Sequence, residues 1–462
     1  MSMQTSAIKI FLICTVSFLT TATVWGTPQK ITLDELLDMV ETHDDVYQLE
    51  KANLKSVEEL KGLAIKAFLP EVSFSRVHSR TLESRSASNA SSNIVIPEQN
   101  TYKDILQIQQ PIYAGGKLVE NFIQSQELEK LYKHTMESVK SDIKYQVSIL
   151  YFDYHRYKTI QDNFSKFHPQ IEQSLNKLKS LYESGSLSYL DYLSAEQKYQ
   201  EFESEKQSID DYLKQMKISI KNQLSIEGPF ELVSPSLNIK PIEKDLEWHL
   251  DYANNQRLDL KMIDLRKEID EREARLRRPG TEVFLSGEYF WSGLSFPPSD
   301  DKEWRISLTA SIPLYDFTIT GEAGKQKVEP NIDNRVKNYG VALFNKNQIT
   351  NKRIAETQKL YATRYESDIN RLSKDIIAEV TQTFFEIQRT YNKFELHKKH
   401  KERLSKIKDV FEYNYKAGKE PEDAYFEFLL NQFKHVSDQA RINFDFLIAY
   451  LKLKKACGGE ML

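Results

Sequence analysis

Between Gly340 and Gly418 the chain carries neither glycine nor proline, and a breaker-free run of that length reads as one very long helix, not as a layered compact domain. At 1.5 Å per residue such a helix could reach roughly 110 Å. A second run, Leu118 to Glu183, is interrupted only by Pro169. That proline removes one backbone bond and crowds the preceding turn, which predicts a kink. The whole chain follows suit, since 15 glycines and 14 prolines among 462 residues are about half of the roughly 12% average usage.

The two runs belong to two copies of one plan. Ser141 to Val147 is echoed by Lys374 to Val380, and Tyr182-Glu183-Ser184-Gly185 by Tyr415-Lys416-Ala417-Gly418, both at an offset of 233. At that offset the stripe Leu128, Tyr132, Met136, Val139, Ile143, Val147, Tyr151, Tyr154 falls on Tyr361, Tyr365, Ile369, Leu372, Ile376, Val380, Phe384, Ile387. Steps of four and three are helical. Any two amphipathic helices share such a stripe, but not a glycine at the same offset, so the spacing points to duplication.

Each half then reads as a helical lead-in (Leu33 to Phe68, and Asp245 to Arg278), two extended stretches around a polar loop, a proline, a very long helix, a tip glycine and a shorter helix. The shorter helices are Ser188 to Ile226 and Pro421 to Lys455. Ser188 with Asp191 three residues on has the capping-box spacing. Pro421 stands where a first-turn proline belongs, ahead of Glu422 and Asp423 at the positive end of the helix dipole. Gly185 and Gly418 therefore mark turns between antiparallel helices. The organisation is a leader over 1–26, a first repeat over 27–228, a linker over 229–244 and a second repeat over 245–462, the repeats intertwining as one protomer. The second half departs in one place: Pro313 to Gly418 is about 31 residues longer than Pro111 to Gly185. Gly321, Gly324, Pro330 and Gly340 make the extra stretch between Asp316 and Asn347 look irregular.

The extended stretches alternate. Trp304, Ile306, Leu308, Ala310 and Ile312 stand between Arg305, Ser307, Thr309 and Ser311, which is period two with one apolar face. Val283, Leu285, Tyr289 and Trp291 do so less cleanly, as do Val72 with Phe74 and Leu106 with Ile108. Strands of about ten residues suit an outer-membrane barrel. The loop from His78 to Thr101, with only serine, alanine and asparagine over Ser86 to Asn93, has the composition of an exposed extracellular loop. Four strands cannot close a barrel, and an open edge in lipid leaves backbone groups unpaired. A chain that inserts must therefore oligomerise, and three copies supply twelve strands.

The first 26 residues carry one charge, Lys9, then the apolar run Ile10 to Leu19, then Val24-Trp25-Gly26, which reads as a secretory signal peptide cut after Gly26. Its removal takes the net charge from -4 to -5 and leaves Cys457 as the only cysteine, excluding an internal disulfide. Cys14 is a poor lipidation site, because the apolar run continues past it without preceding small residues. The 63 basic and 67 acidic residues show no block of either sign, which argues against nucleic acid as a partner.

With these features the chain resembles the TolC-like outer-membrane efflux protein family. Gln110-Pro111-Ile112-Tyr113-Ala114-Gly115-Gly116 is similar to that family's strand-to-helix junction, and Ser311-Ile312-Pro313-Leu314-Tyr315-Asp316 to its second copy, here without the double glycine. Asn255 to Leu260 resembles the start of the family's second repeat, with Leu258 in place of proline, and the tips Tyr182 to Asp191 and Tyr415 to Asp423 resemble its periplasmic end. The resemblance implies a mainly α fold with a small β part: a homotrimer whose four strands per chain make a twelve-stranded barrel in the outer membrane of a Gram-negative bacterium, continuing into a helical barrel across the periplasm. It also implies docking on a periplasmic adaptor, an inner-membrane transporter of RND, ABC or MFS type as the energy source, and service as the passive exit duct of efflux or type I secretion, with no cofactor. The tip set is Gly185, Ser188, Asp191, Tyr415 and Gly418. In the family an aspartate at the place of Asp191 helps to lock the entrance and an aromatic at the place of Tyr415 partners it, but the usual arginine is Glu420 here. The acidic entrance positions read Ala424 and Glu427, so Glu427 with Asp423 is the expected acidic ring, where crowded carboxylates repel and favour cations. An acidic first turn also simply satisfies the helix dipole.

No enzyme constellation stands out. His397 and His400 sit three apart beside several lysines, a pattern of a solvated face more often than of a metal site. Gly321 to Lys325 lacks the spacing of a phosphate loop. The rival reading is a soluble periplasmic coiled-coil scaffold or adaptor, which has no use for lipid-length strands.

Overall fold

The computed structural model describes residues 28–80, 86–89, 92–95, 100–314, 317–328, 332–343 and 347–459. The expected leader, with Lys9, Cys14 and Gly26, lies outside the described residues, as do Tyr315 and Asp316. Strand β1 (Gln29–Ile31) leads into helices α1 (Leu33–His43) and α2 (Asp45–Lys66), then β2 (Glu71–Arg80), the short β3 (Ser86–Asn89) and β4 (Ser92–Val95), and β5 (Asn100–Ala114). The long α3 (Lys117–Glu183) turns into α4 (Tyr189–Gln223), followed by β6 (Phe230–Leu232), α5 (Leu246–Gln256) and α6 (Leu258–Leu276). Four strands come next, β7 (Glu282–Gly293), β8 (Asp301–Leu314), β9 (Phe317–Val328) and β10 (Ile332–Ala342), and then α7 (Asn347–Lys416) and α8 (Glu422–Ala456). The fold is mainly helical with a smaller sheet part.

The chain packs as two compact units whose boundaries fall at the start of α2 and inside α3, α5 and α7. One unit takes the described chain up to Asp45, Lys140–Trp248 and everything from Thr381 onward. Its helices bury heptad-spaced stripes: Ala195, Phe202 and Ile209 on α4, and Phe164, Ile171 and Leu178 on α3. Phe164, Phe202 and Phe433 meet with ring centroids 4.2–4.9 Å apart, two tilted contacts and one edge-on that add about 0.5–1.5 kcal/mol per pair beyond their buried area. A parallel pairing of β1 with β6 (Gln29↔Phe230 to Ile31↔Leu232) ties the start of this unit to residues 229–244. That stretch, expected only to link the repeats, therefore contributes a strand.

Local differences from the sequence expectation have simple causes. Each lead-in is two helices, not one, broken at Asp44, whose backbone N–H still bonds Val40, and at Arg257. Pro169, where a kink is expected, lies inside α3 with helix on both sides of it. Pro421 is the residue before the first turn of α8, not in it. The stripe residues Ile143, Val147, Tyr151 and Tyr154 are buried, and so are Ile376, Val380, Phe384 and Ile387 at the 233 offset.

The second unit, Val46–Val139 with His249–Val380, holds a six-stranded antiparallel sheet in the order β10-β9-β8-β7-β5-β2. The four expected strands are β2, β5, β7 and β8. The stretch expected to be irregular instead folds as a hairpin, β9 with β10 paired from Thr318↔Ala342 to Val328↔Ile332, and adds two strands to the sheet. Gly324 explains the misreading: a Cβ there would stand 2.4 Å from the Ile306 carbonyl oxygen, so this glycine permits close approach of β9 to β8 and does not break a strand. The serine-rich stretch after β2 also contains paired strands, Ser86↔Val95 to Asn89↔Ser92.

Candidate functional site

The two tip turns are built alike. Gly185 has φ +77° and Gly418 φ +72°, the left-handed conformation that ends a helix in a Schellman turn. At the first, the N–H of Gly185 donates to Tyr182 and that of Ser186 to Leu181; at the second, Gly418 donates to Tyr415 and Lys419 to Asn414. These are the same bonds at the 233 offset. Each turn also carries a tyrosine pair: Tyr182 lies parallel to Tyr192 at 5.3 Å and Tyr415 to Tyr425 at 3.8 Å. Ser188 caps α4 by accepting from the Asp191 N–H at 3.1 Å, and its hydroxyl donates to the Asp191 carboxylate at 2.6 Å. The expected capping box is therefore only half made, since the Asp191 carboxylate takes the Ser188 hydroxyl and not its backbone N–H, and Asp191 is exposed.

Among the described residues, the second turn is tied to another helix by a polar cluster and the first is not. Lys177 of α3 donates to the Tyr415 hydroxyl at 2.8 Å, Tyr415 donates to Glu422, and Ser174 of α3 donates to the other Glu422 oxygen at 2.7 Å. The Glu422 side chain is only 10% exposed. Burial, then the Glu422 hydrogen bond, pushes the Tyr415 hydroxyl above its ordinary pKa. The hydrogen bond to Tyr415 raises that of Lys177 against a smaller opposing effect of burial. Both groups therefore stay protonated through neutral pH. The sequence hinted at none of this beyond Tyr415, because Lys177 and Glu422 meet across 245 positions.

The expected acidic pair stands differently. Asp423 is exposed in the first turn of α8. Glu427 is exposed one turn on, and Lys198 of α4 forms a salt bridge with it within the same protomer.

At the strand-to-helix junction, Gly115 (φ +61°) and Gly116 (φ +80°) carry β5 into α3. A Cβ on Gly115 would stand 2.9 Å from the Gly280 Cα. Two backbones touch there, and Gly280, absent from the sequence expectation, is half of the contact. Pro111 lies where β5 has run past its ladder to β2 and makes a register shift against β7, positions that tolerate a missing N–H. Pro313 was expected at the matching junction. It sits beside the β8–β9 turn, opposite Thr318, and α7 begins only at Asn347.

The sheet has two unlike faces. Val72, Phe74, Ile108, Leu285, Ile306, Leu308, Ile312, Tyr339 and Val341 are exposed on one face, with Val72 at 63% and Ile306 at 53%. On the other, polar side chains bridge neighbouring strands: Gln107 to Glu288 at 3.2 Å, Gln326 to Glu303 at 3.2 Å and Asn338 to Glu322 at 2.9 Å. Toward one end of β9 and β10 the apolar face gives way to Lys325, Lys327, Arg335 and Lys337. The ladder is also staggered. The row starting at Glu71, the first residue of β2, runs through Gln109, Ser286, Ser307 and Gly324 to Val336, and β10 continues six residues further to Ala342. Six residues of about 3.3 Å over five spacings of about 4.8 Å is a lean of about 40°, within the roughly 35–45° of membrane-barrel strands.

Among the described residues, no helix is long and apolar enough to cross a membrane, and no group of three or more His, Cys, Asp or Glu is placed to hold a metal ion. His397 and His400, read as a solvated face, pack against His435, stacked at 4.9 Å and edge-on at 5.2 Å.

No protein-family model matches the sequence, and no curated protein sequence matches it either. Solved structures do. The CmeC outer membrane channel of Campylobacter jejuni aligns with a TM-score of 0.70 at 12% identity, covering 95% of this chain and 91% of that one. VceC, an outer membrane protein of Vibrio cholerae, gives 0.68 at 12% identity, over 92% and 96%. The chain has the TolC-like channel fold. The open-state MtrE channel of Neisseria gonorrhoeae agrees, at 0.66 and 10% identity over 93% and 89%. At such identities the likeness is one of fold, and it covers nearly the whole TolC-like chain described above.

Proposed function

We propose that this chain is the outer-membrane channel of an efflux or type I secretion system of a Gram-negative bacterium, a homotrimer that passively conducts cargo from a periplasmic adaptor and an inner-membrane transporter to the outside. The observation that carries this reading is the sheet. Its uncovered apolar face, its opposite polar face with satisfied side-chain bridges and its lean of about 40° are what a wall between lipid and water needs. A soluble scaffold would leave an apolar patch of this extent open to water. The TolC-like fold supports the same reading; the tip residues Gly185, Ser188, Asp191, Tyr415 and Gly418 are the surface offered to the adaptor, and Asp423 with Glu427 lines the entrance. No catalytic step is assigned to the chain, because energy comes from the transporter.

Reconstitution of the mature protein in a planar bilayer, with its mass determined in detergent, tests the proposal. A trimer with discrete conductance steps is the expected result. A water-soluble monomer or dimer without conductance overturns it and favours the helical scaffold.

A further inference from the structure

We infer that β9 and β10 belong to the wall of the pore, so that each copy closes on the next by pairing its β10 edge with β2 of a second copy, and three six-stranded sheets make a barrel of eighteen strands in place of twelve. This rests on the channel reading above and adds to it the surface by which copies meet.

A twelve-stranded trimer needs the outer edge of β8 for the neighbouring copy. That edge is occupied, since β8 pairs with β9 from Glu303↔Val328 to Leu314↔Phe317. The free edges of the sheet are β2 and β10. In lipid their unpaired N–H and C=O groups need partners, and six strands are too few to close alone, because membrane barrels start at about eight.

The two edges fit each other. They have 10 and 11 residues. Strand direction alternates across all six strands, so β10 meets a neighbour's β2 antiparallel. One register keeps each face together and the strand ends level: Val72 opposite Val341, Phe74 opposite Tyr339, Ser75 opposite Asn338, Val77 opposite Val336 and Arg80 opposite Asp333. Apolar meets apolar, aromatic meets aromatic, and the last pair is of opposite charge. Mid-ladder the register sets Arg76 against Lys337, a like-charge pair whose repulsion is offset because Arg76 has a two-bond ion pair with Asp104 at 2.7 and 2.8 Å. The six-residue stagger built into each copy is the offset that a tilted barrel must accumulate per protomer. Six residues of stagger over six spacings of about 4.8 Å, the seam included, tilt the strands by about 35°, and at that tilt eighteen strands enclose a backbone cylinder about 34 Å across, against about 23 Å for twelve.

Paired cysteines in the full chain, with Cys457→Ser, test the closure. Ser75→Cys with Asn338→Cys, and independently Ser79→Cys with Asn334→Cys, are expected on oxidation in membranes to convert most of the protein to a covalent trimer that thiol reduction returns to monomer. Ser75→Cys with Thr309→Cys reports the twelve-stranded alternative and is expected to stay monomeric under denaturation. Cross-linking through Thr309, or no cross-linking by either hairpin pair in a trimer that still conducts, overturns the closure and leaves the channel reading standing. A soluble, non-conducting protein overturns both.

Discussion

The two halves of the chain agree at their tips and part company at the entrance to their long helices. At the tips the same glycine, the same two backbone bonds and the same stacked tyrosines recur at a fixed offset. At the entrance, the first half turns on Gly115 and Gly116, while the second inserts a hairpin and starts its helix at Asn347 without a glycine. A turn between helices is set by a few adjacent residues and can be copied whole. How a strand passes into a helix depends on what lies beside it, here the backbone of Gly280 or a further pair of strands.

The sharpest way to break this comparison is at Gly115. Gly115→Val meets the Gly280 backbone and also needs a left-handed conformation, so a loss of about 3 kcal/mol or more is expected in urea unfolding. Gly418→Val meets nothing within 4 Å and should lose only about 1–2 kcal/mol from the conformation itself. Similar losses at both sites would mean that the backbone contact does not matter.

A second asymmetry is acid sensitivity. His155 is buried, and burial drives its imidazole from 6.5 to about 4, against a smaller opposing hydrogen bond to Val233. Its counterpart Gln388 is exposed and does not titrate. A depressed pKa means that the unfolded state takes the proton first, so this stability is present above pH 6.5 and is lost as pH falls toward 4. The full span is about 3 kcal/mol. Melting temperatures from pH 7 to 4 should fall less for His155→Gln than for the parent; identical slopes would remove the assignment.

At the tips the halves should separate by smaller amounts. Glu422→Ala removes the acceptor of the Tyr415 and Ser174 hydroxyls and the charge partner of Lys177, for an expected loss of about 2 kcal/mol. Tyr415→Phe should lose about 1 kcal/mol, while Tyr182→Phe, which keeps its stack and belongs to no such cluster, should stay within about 0.5 kcal/mol. Equal effects in denaturant melts would make the cluster ornamental. The least effect on stability is expected at Glu427: its bridge to Lys198 is exposed, so Glu427→Ala should change unfolding by under about 0.5 kcal/mol. If Glu427 lines a cation-favouring entrance, the same variant should weaken cation block of single-channel current; unchanged block would discard that role.

Much of this was legible in sequence where the cause is local. Gly185 and Gly418 announce their turns because each ends a long run without another glycine. Ser188 announces its cap, and Ile306, Leu308 and Ala310 announce a strand by strict alternation. What was not legible depends on distant partners. Lys177 finds Tyr415 across 238 positions, and Gly280 reads as a loop residue until Gly115 lies against it. The β9–β10 hairpin was hidden for another reason: Gly321, Gly324 and alternating lysines imitate a loop, and only the close neighbour β8 shows why small residues stand there.

The hairpin leaves the chain heading the way it was already going. A single added strand would deliver the following helix to the opposite end of the sheet; a pair brings it back, so α7 can start as if nothing had been inserted. On the closure inferred above, girth and helical architecture are uncoupled, and the segment Phe317–Ala342 is a removable stave, one that an engineer could excise or double to resize the wall without redesigning the helices.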